Sequence, residues 1–260
     1  MIEVPEIVIE RIETAVGVGE SLSELALKCA QAIGGDGVVG VIAATFSNPE
    51  RFPALSVKVA SALGLPAAVA AFDLQLACSA YPYAVYLAGR LAADLGGKVL
   101  VIDGDVQSRL VDAADHATGS IFSDAVTASL ISVNPSAKSG FSFLSRHDEA
   151  LQCSETGPIR MDGFKVFSFV ATEVTGFLRE FGDGYDFFAP HQANPYMVRQ
   201  LARSLKAEEK LLTVADELKN PGSCSVAMAL KANAKAGRVL IAGFGAGYSA
   251  SAGIVRYLAR

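Results

Sequence analysis

The chain has 260 residues, 51% of them hydrophobic and 19% charged, with 24 glycines and no tryptophan. That composition excludes a disordered chain and suits a large α/β domain or two fused halves. A formal net charge of −5 leaves no general basic footprint, which argues against nucleic acid as a partner.

No apolar run is long enough to span a bilayer, and the opening "MIEVPEIVIERIE" is too charged for a secretory leader. The cysteines, Cys29, Cys78, Cys153 and Cys224, form no CxxC pair. Reduced thiols in a cytoplasmic protein, without a membrane or a metal, are the expectation.

In chain order, "SLSELALKCAQAIG" (21–34) carries helical spacing and ends on glycine. "GVVGVIAAT" (37–45) follows as a strand, "PALSVKVASALG" (53–64) as a helix and "AAVAAFDLQLA" (67–77) as a strand. "YPYAVYLAGRLAADLG" (81–96) is helical, and "GKVLVIDGD" (97–105) and "TASLISV" (127–133) are strands. Segment 134–158 is rich in polar and turn residues and reads as a boundary, giving halves 1–140 and 141–260. Beyond it, "KVFSFVATEVTGFLREFG" (165–182) is a helix, "YDFFAPH" (185–191) a strand and "NPYMVRQLARSLK" (194–206) a helix. The chain closes on the helix "CSVAMALKANAKAG" (224–237) and the strands "RVLIAGFG" (238–245) and "SAGIVRYL" (251–258). Such alternation predicts a mostly parallel, buried sheet with helices on its faces. An internal echo supports two related halves: Cys-Ser, small-residue helix, glycine, basic residue, "VL" and a glycine turn occur from Cys78 and again from Cys224.

Four places carry candidate chemistry. Cys78 stands where a strand gives way to a helix, so unpaired N–H groups and the helix dipole would favour a thiolate there; a buried structural cysteine is the other reading. Pro82 falls in the first helical turn, where a missing N–H does no harm. His191 lies in a strand-to-helix loop, and Asn220 in a loop before a helix, where capping is the simpler role. "GFGAGY" fails as a dinucleotide fingerprint because Tyr248 occupies the sixth position, so the turn fits an oxyanion site better.

Taken together and in order, these blocks resemble the β-ketoacyl-acyl-carrier-protein synthase III family of the thiolase-like fold. The blocks are "FPALSVKVASALGLPAAVAAFDLQLACSAYPYAV", "DHATGSIFSDAVTASLI", "MDGFKVFSFV", "PHQAN", "NPGSCSV" and "GFGAGYSASAGIVRY". The resemblance implies an α/β fold of two similar halves, layered αβαβα. It implies a condensing acyltransferase in fatty acid or polyketide initiation. Cys78 would take an acyl group from an acyl-phosphopantetheine thioester, carried by acyl carrier protein or coenzyme A, with no tightly bound cofactor. His191 and Asn220 would hold the carbonyl of a decarboxylating malonyl thioester, and the N–H groups of Cys78 and Ala246 the acyl oxyanion. His116 and His147 fall outside the block where elongating relatives place a second histidine, which implies the initiating type.

Phe122 and Phe244 would line the substrate pocket. Phe52 would reach a partner's pocket across a twofold interface, or else be a core aromatic. A homodimer is implied, with a heterodimer beside a related synthase as the variant. Arg199, Arg203 and Lys206 would meet an acidic carrier protein, or simply form a solvated helix face.

The pattern also departs from the family. The chain starts near the block "VIERIETAVG", as a shortened copy would, with "EVPEIVIERIE" placed to stand in for a first strand. His116 replaces an arginine, Ser123 and Ala125 replace glycines, and Tyr196 a basic residue. These changes imply that acyl-coenzyme A primes poorly. A starter-unit acyltransferase without decarboxylation, a non-catalytic partner subunit and a cysteine hydrolase are the alternative functions.

Overall fold

A computed structural model describes residues 1–233 and 235–260. Strand β1 (Ile2–Gly17) begins the sheet, so "EVPEIVIERIE" is indeed a strand. Its register shifts between Pro5 and Glu6, where a residue without an N–H is tolerated. Helix α1 (Leu22–Ile33) starts in a reciprocal Ser21–Glu24 capping box, which satisfies two otherwise orphaned N–H groups. The chain continues through β2 (Val38–Ala44), α2 (Leu55–Ala62), β3 (Ala70–Leu74), α3 (Ala80–Leu95) and β4 (Lys98–Asp105).

The reading of 134–158 as turn-rich fails through residue 148. Strand β5 is a single strand, Asp124–Asp148, and its polar residues lie largely on partly exposed positions of an otherwise paired ribbon. Its first part pairs antiparallel with β4 and β1. A short pair, β6 (Leu151–Gln152) with β7 (Arg160–Met161), follows. Next come α4 (Gly163–Phe169), a π-turn Val170–Val174 and α5 (Thr175–Arg179), so the helix expected over 165–182 is wound unevenly. Strand β8 (Phe187–Pro190), α6 (Pro195–Ser204), α7 (Ser225–Asn233), β9 (Gly237–Gly245) and β10 (Gly247–Tyr257) complete the chain.

The sheet order is β3-β2-β4-β5-β1-β10-β9-β8, and the later part of β5 also pairs with β10. The echo in the sequence is therefore structural. A turn, helix, strand and antiparallel strand recur as 77–79, α3, β4, β5 and as 222–224, α7, β9, β10.

Strand periodicity divides the core into layers. On β4, Val99 and Val101 join a central cluster with α3 and α7, while Leu100 and Ile102 turn outward under α1 and α2. On β9, Val239 and Ile241 face the same centre, whereas Leu240 and Ala242 face α4, α5 and α6. Helices thus lie between the two sheet portions and outside each of them. By the same parity, Asp103 and Asp105 on β4 fall on the central face, where both are buried. Among the described residues no helix is long and apolar enough to cross a membrane, and all four cysteines are free thiols.

Candidate active site

Cys78 sits on a tight turn, Ala77–Ser79, directly before α3. Ala77 has φ +44°, a left-handed conformation that an L-residue holds only when its surroundings fix it. Those surroundings are visible in three serines that stitch the turn to β10. Ser79 Oγ is 2.6 Å from Ser249 Oγ and donates to the Leu76 carbonyl, and Ser251 Oγ donates to the Ser79 carbonyl at 2.7 Å.

The backbone of β9 and the turn after it presses against the cysteine. A Cβ at Gly243 would stand 2.8 Å from the Cys78 carbonyl oxygen, and one at Gly245 would stand 2.9 Å from Cys78 Cβ. Glycine is required at both for this approach. Cys78 lines a cavity of about 610 Å³ together with Gln107, Phe122, Leu151, Ala246 and Tyr248.

His191 follows β8, its N–H donating to the Ala242 carbonyl at 2.7 Å. Its Nδ1 lies 2.9 Å from Ser225 Oγ, which also accepts the Gln192 N–H at 3.0 Å. Gln192 braces the loop further, accepting from Thr213 Oγ1 and the Val214 N–H. Asn194 caps α6 by accepting the Met197 N–H at 2.8 Å, so each polar residue of "HQAN" has a separate task. Phe244 packs edge-on to His191, centroids 5.5 Å apart.

Asn220 is fixed by its own main chain. Its N–H donates to the Ile121 carbonyl, and its carbonyl accepts from the Ser123 N–H and Gln107 Nε2. Oδ1 accepts the Gly222 N–H at 2.9 Å, which assigns the oxygen end of the amide and leaves the NH₂ as the donor end. The turns carrying Cys78 and Gly222 lie against each other. The Gly222 carbonyl also faces the His191 ring.

The structure therefore brings Cys78, His191, Asn220 and Ala246 to one region and places Phe122 on its wall. Cys78, Ala246 and Phe122 line the open cavity, while His191 and Asn220 are buried and are not part of its lining. Three expectations need correction. Phe244 does not line the cavity; it packs against the His191 ring instead. Phe52 is 85% exposed, so it is no core aromatic, and it lines no part of this chain's own cavity. The basic helix face is also weaker than its composition: Arg203 and Lys206 are exposed, but Arg199 is paired with Asp216. His147, which its place in the sequence did not mark, reaches the cavity rim, and His116 lies exposed elsewhere.

The expected resting thiolate is corrected as well. Burial, reinforced by Asp105, pushes the Cys78 thiol up to about 12. Burial likewise pulls His191 down to about 4, against the opposing pull of the Gly222 carbonyl. Both groups are therefore neutral at neutral pH, and the helix start does not outweigh desolvation.

The His191 shift has a thermodynamic consequence. Its folded value near 4 lies below the ordinary 6.5, so the unfolded chain binds an extra proton between them. The stability this residue provides is present above pH 6.5 and is lost as pH falls toward 4. Chemical denaturation across that range should show a steeper acid loss for the native chain than for His191→Gln.

A two-half α/β fold with a thiol on the turn before a central helix defines a thiolase-like protein. Comparison with known proteins agrees. The family description 3-oxoacyl-[acyl-carrier-protein (ACP)] synthase III matches residues 72–148, and its C-terminal counterpart matches residues 182–257. The chain is 33% identical over 288 aligned positions to the beta-ketoacyl-[acyl-carrier-protein] synthase III of Lactobacillus delbrueckii subsp. bulgaricus, covering 95% of this chain and 90% of that one. The 3-oxoacyl-(acyl-carrier protein) synthase structure from Burkholderia xenovorans superposes with a TM-score of 0.89 at 21% identity, covering 98% of this chain and 95% of that one. The synthase III structure from Pseudomonas aeruginosa gives a TM-score of 0.83 at 26% identity, covering 92% and 84%. The chain belongs to the 3-oxoacyl-[acyl-carrier-protein] synthase III family.

Proposed function

We propose that this chain is a condensing acyltransferase that joins an acyl group carried on Cys78 to a decarboxylating malonyl-acyl-carrier protein. One observation carries the reading: the buried thiol of Cys78 lies at the wall of a cavity, against a glycine turn, with the Gly222 loop that carries Asn220 and faces His191 packed against its turn.

Acylation starts from the neutral pair. Cys78 Sγ attacks the thioester carbonyl of the donor while its proton passes to His191. Negative charge on the carbonyl oxygen is met by the N–H groups of Cys78 and Ala246. The tetrahedral species collapses, and the departing pantetheine thiolate takes the proton back from His191. A malonyl thioester then presents its carbonyl oxygen to an imidazole N–H and to the Asn220 NH₂. Loss of CO₂ leaves an enolate whose charge those donors hold. Its carbon attacks the Cys78 thioester, forming the carbon–carbon bond, breaking the carbon–sulfur bond and releasing the Cys78 thiolate, which takes up one proton from solvent.

The donor is an acyl-phosphopantetheine thioester on carrier protein or coenzyme A, and no step requires a resident cofactor. We read 1–140 and 141–260 as its two halves, a division supported by the repeated helix–strand–strand unit although β5 runs across it. A homodimer is supported by the exposure of Phe52 and by Phe72, 39% exposed on the edge strand β3. The decisive experiment incubates the chain with an acyl donor and carboxyl-labelled malonyl-carrier protein. Labelled CO₂ with a 3-oxoacyl product supports condensation; acyl transfer without CO₂ release rejects it. Running the donors in parallel checks the expectation that carrier-bound acyl groups prime faster than acyl-coenzyme A.

Carrier docking supplies a further expected result. The double charge reversal Arg203→Glu, Lys206→Glu should raise KM for malonyl-carrier protein by about tenfold at low salt and leave kcat nearly unchanged. Initial-rate kinetics at two ionic strengths would check it, since the effect should shrink in high salt.

A further inference from the structure

The end of β4 holds two buried polar side chains that the chemistry above does not use. Asp103 is fully buried, and Ser223 Oγ donates to its Oδ1 at 2.5 Å, while its Oδ2 has no partner. Gln107, 1% exposed, lies just past the strand and spends its Nε2 on two carbonyls, that of Asn220 at 3.2 Å and that of Ser123 at 3.1 Å. Asp105 is differently engaged: its Oδ1 accepts from Thr45 Oγ1 and from the N–H groups of Phe46 and Ser47.

Both side chains bond the same short segment, 220–225, which holds Asn220, the Gly222 carbonyl that faces His191, and Ser225 on His191 Nδ1. An acid with one satisfied oxygen is a poor stabiliser of a core, since burying the other oxygen has a desolvation cost with no bond in return. What the arrangement does provide is a fixed position for that segment, tied at its start by Gln107 and at its middle by Asp103.

We propose that Asp103 and Gln107 are positioning residues for the condensation half-reaction, holding residues 220–223 so that Asn220 meets the malonyl carbonyl beside His191. The inference rests on the function proposed above. It predicts a split between half-reactions, because Asn220 serves condensation alone, whereas Cys78 is held by Ser79, Ser249 and Ser251 and the backbone of His191 by the Ala242 carbonyl.

The test measures two rates on the full-length chain: acylation of Cys78 by intact-protein mass spectrometry, and condensation with malonyl-carrier protein. Displacement of aligned donors by an ångström costs on the order of 100-fold, so Asp103→Ala and Gln107→Ala should each slow condensation about 10- to 100-fold. Acylation by Asp103→Ala should stay within about threefold of the native rate; Gln107 also lines the cavity beside Cys78, so for Gln107→Ala the expected readout is a fall in condensation about tenfold larger than any fall in acylation. Asp103→Asn, which keeps an oxygen for Ser223, should recover condensation to within about threefold. A merely structural role would lower both half-reactions together and would follow the melting temperature.

The inference is overturned if both alanine variants condense normally, if acylation falls in step with condensation, or if Asp103→Asn is no better than Asp103→Ala. Should Asp103→Ala fail to fold, Gln107→Ala and Asp103→Asn decide the matter. Asn220→Ala serves as the reference: if it condenses normally, the reading of the site fails and this inference with it. If only the β4 variants condense normally, the site reading stands and this inference alone falls.

Discussion

Replacing Cys78 with alanine is expected to remove the acyl-enzyme entirely and to lower turnover by at least about 10⁴-fold, the scale on which loss of a covalent nucleophile is felt. The measurement is the mass of the intact chain after incubation with an acyl thioester. The native protein should gain one acyl group, and Cys78→Ala none. The alternative acceptor is Cys153, an exposed thiol that lines the same cavity. An acyl group retained by Cys78→Ala and lost in Cys153→Ala would move the nucleophile and end the mechanism proposed above. Alkylation separates the two thiols differently. Burial holds Cys78 near 12, so iodoacetamide at neutral pH should label Cys153 first. Cys78 should follow only as pH rises, since the thiolate is the reactive form. His191→Ala should slow acylation, because it removes the neutral base that accepts the thiol proton.

That ordering of thiols could not be read from the sequence. The strand-to-helix junction at Cys78 was legible, and with it the dipole argument for a thiolate. Burial was not, and burial by a cavity wall with two aspartates behind it decides the charge state. Likewise "GKVLVIDGD" reads as a strand, but alternation alone does not say that Asp103 and Asp105 face inward, because acidic residues ordinarily mark the solvent face. Segment 134–158 misleads for a related reason. Asn134, Pro135, Ser136 and Gly140 are turn formers locally, yet β5 is held on both sides by β1, β4 and β10, and ladder pairing overrides local preference. The left-handed Ala77 gave no signal either, since the serines that tie its turn in place at Ser79 lie on β10, far away in the chain. Gln192 and Ser225 were visible as letters beside the expected site residues, but their bonds to the histidine loop depend on tertiary placement. The repeated turn–helix–strand–strand unit, by contrast, was legible because it depends on spacing and small residues, which the chain displays directly.

Asn220→Ala provides the sharpest separation of the two half-reactions. Removing one preorganised donor from a developing oxyanion typically costs about 10²- to 10³-fold, and that loss should fall on condensation. Acylation, whose oxyanion is held by backbone N–H groups, should change by no more than about threefold. The alanine also deletes the Oδ1 acceptor of the Gly222 N–H, so part of the loss could be loop disorder, and Asn220→Asp resolves this. The carboxylate retains an oxygen for Gly222 but puts negative charge where the enolate oxygen forms. If the amide acts as a donor, Asn220→Asp should condense more slowly than Asn220→Ala despite keeping the loop bond. If the residue only holds the turn, the order reverses and Asn220→Asp approaches the native rate. Single-turnover assays from pre-acylated enzyme, with labelled malonyl-carrier protein, read the condensation step without interference from acylation. The reversed order would leave decarboxylation to His191 alone.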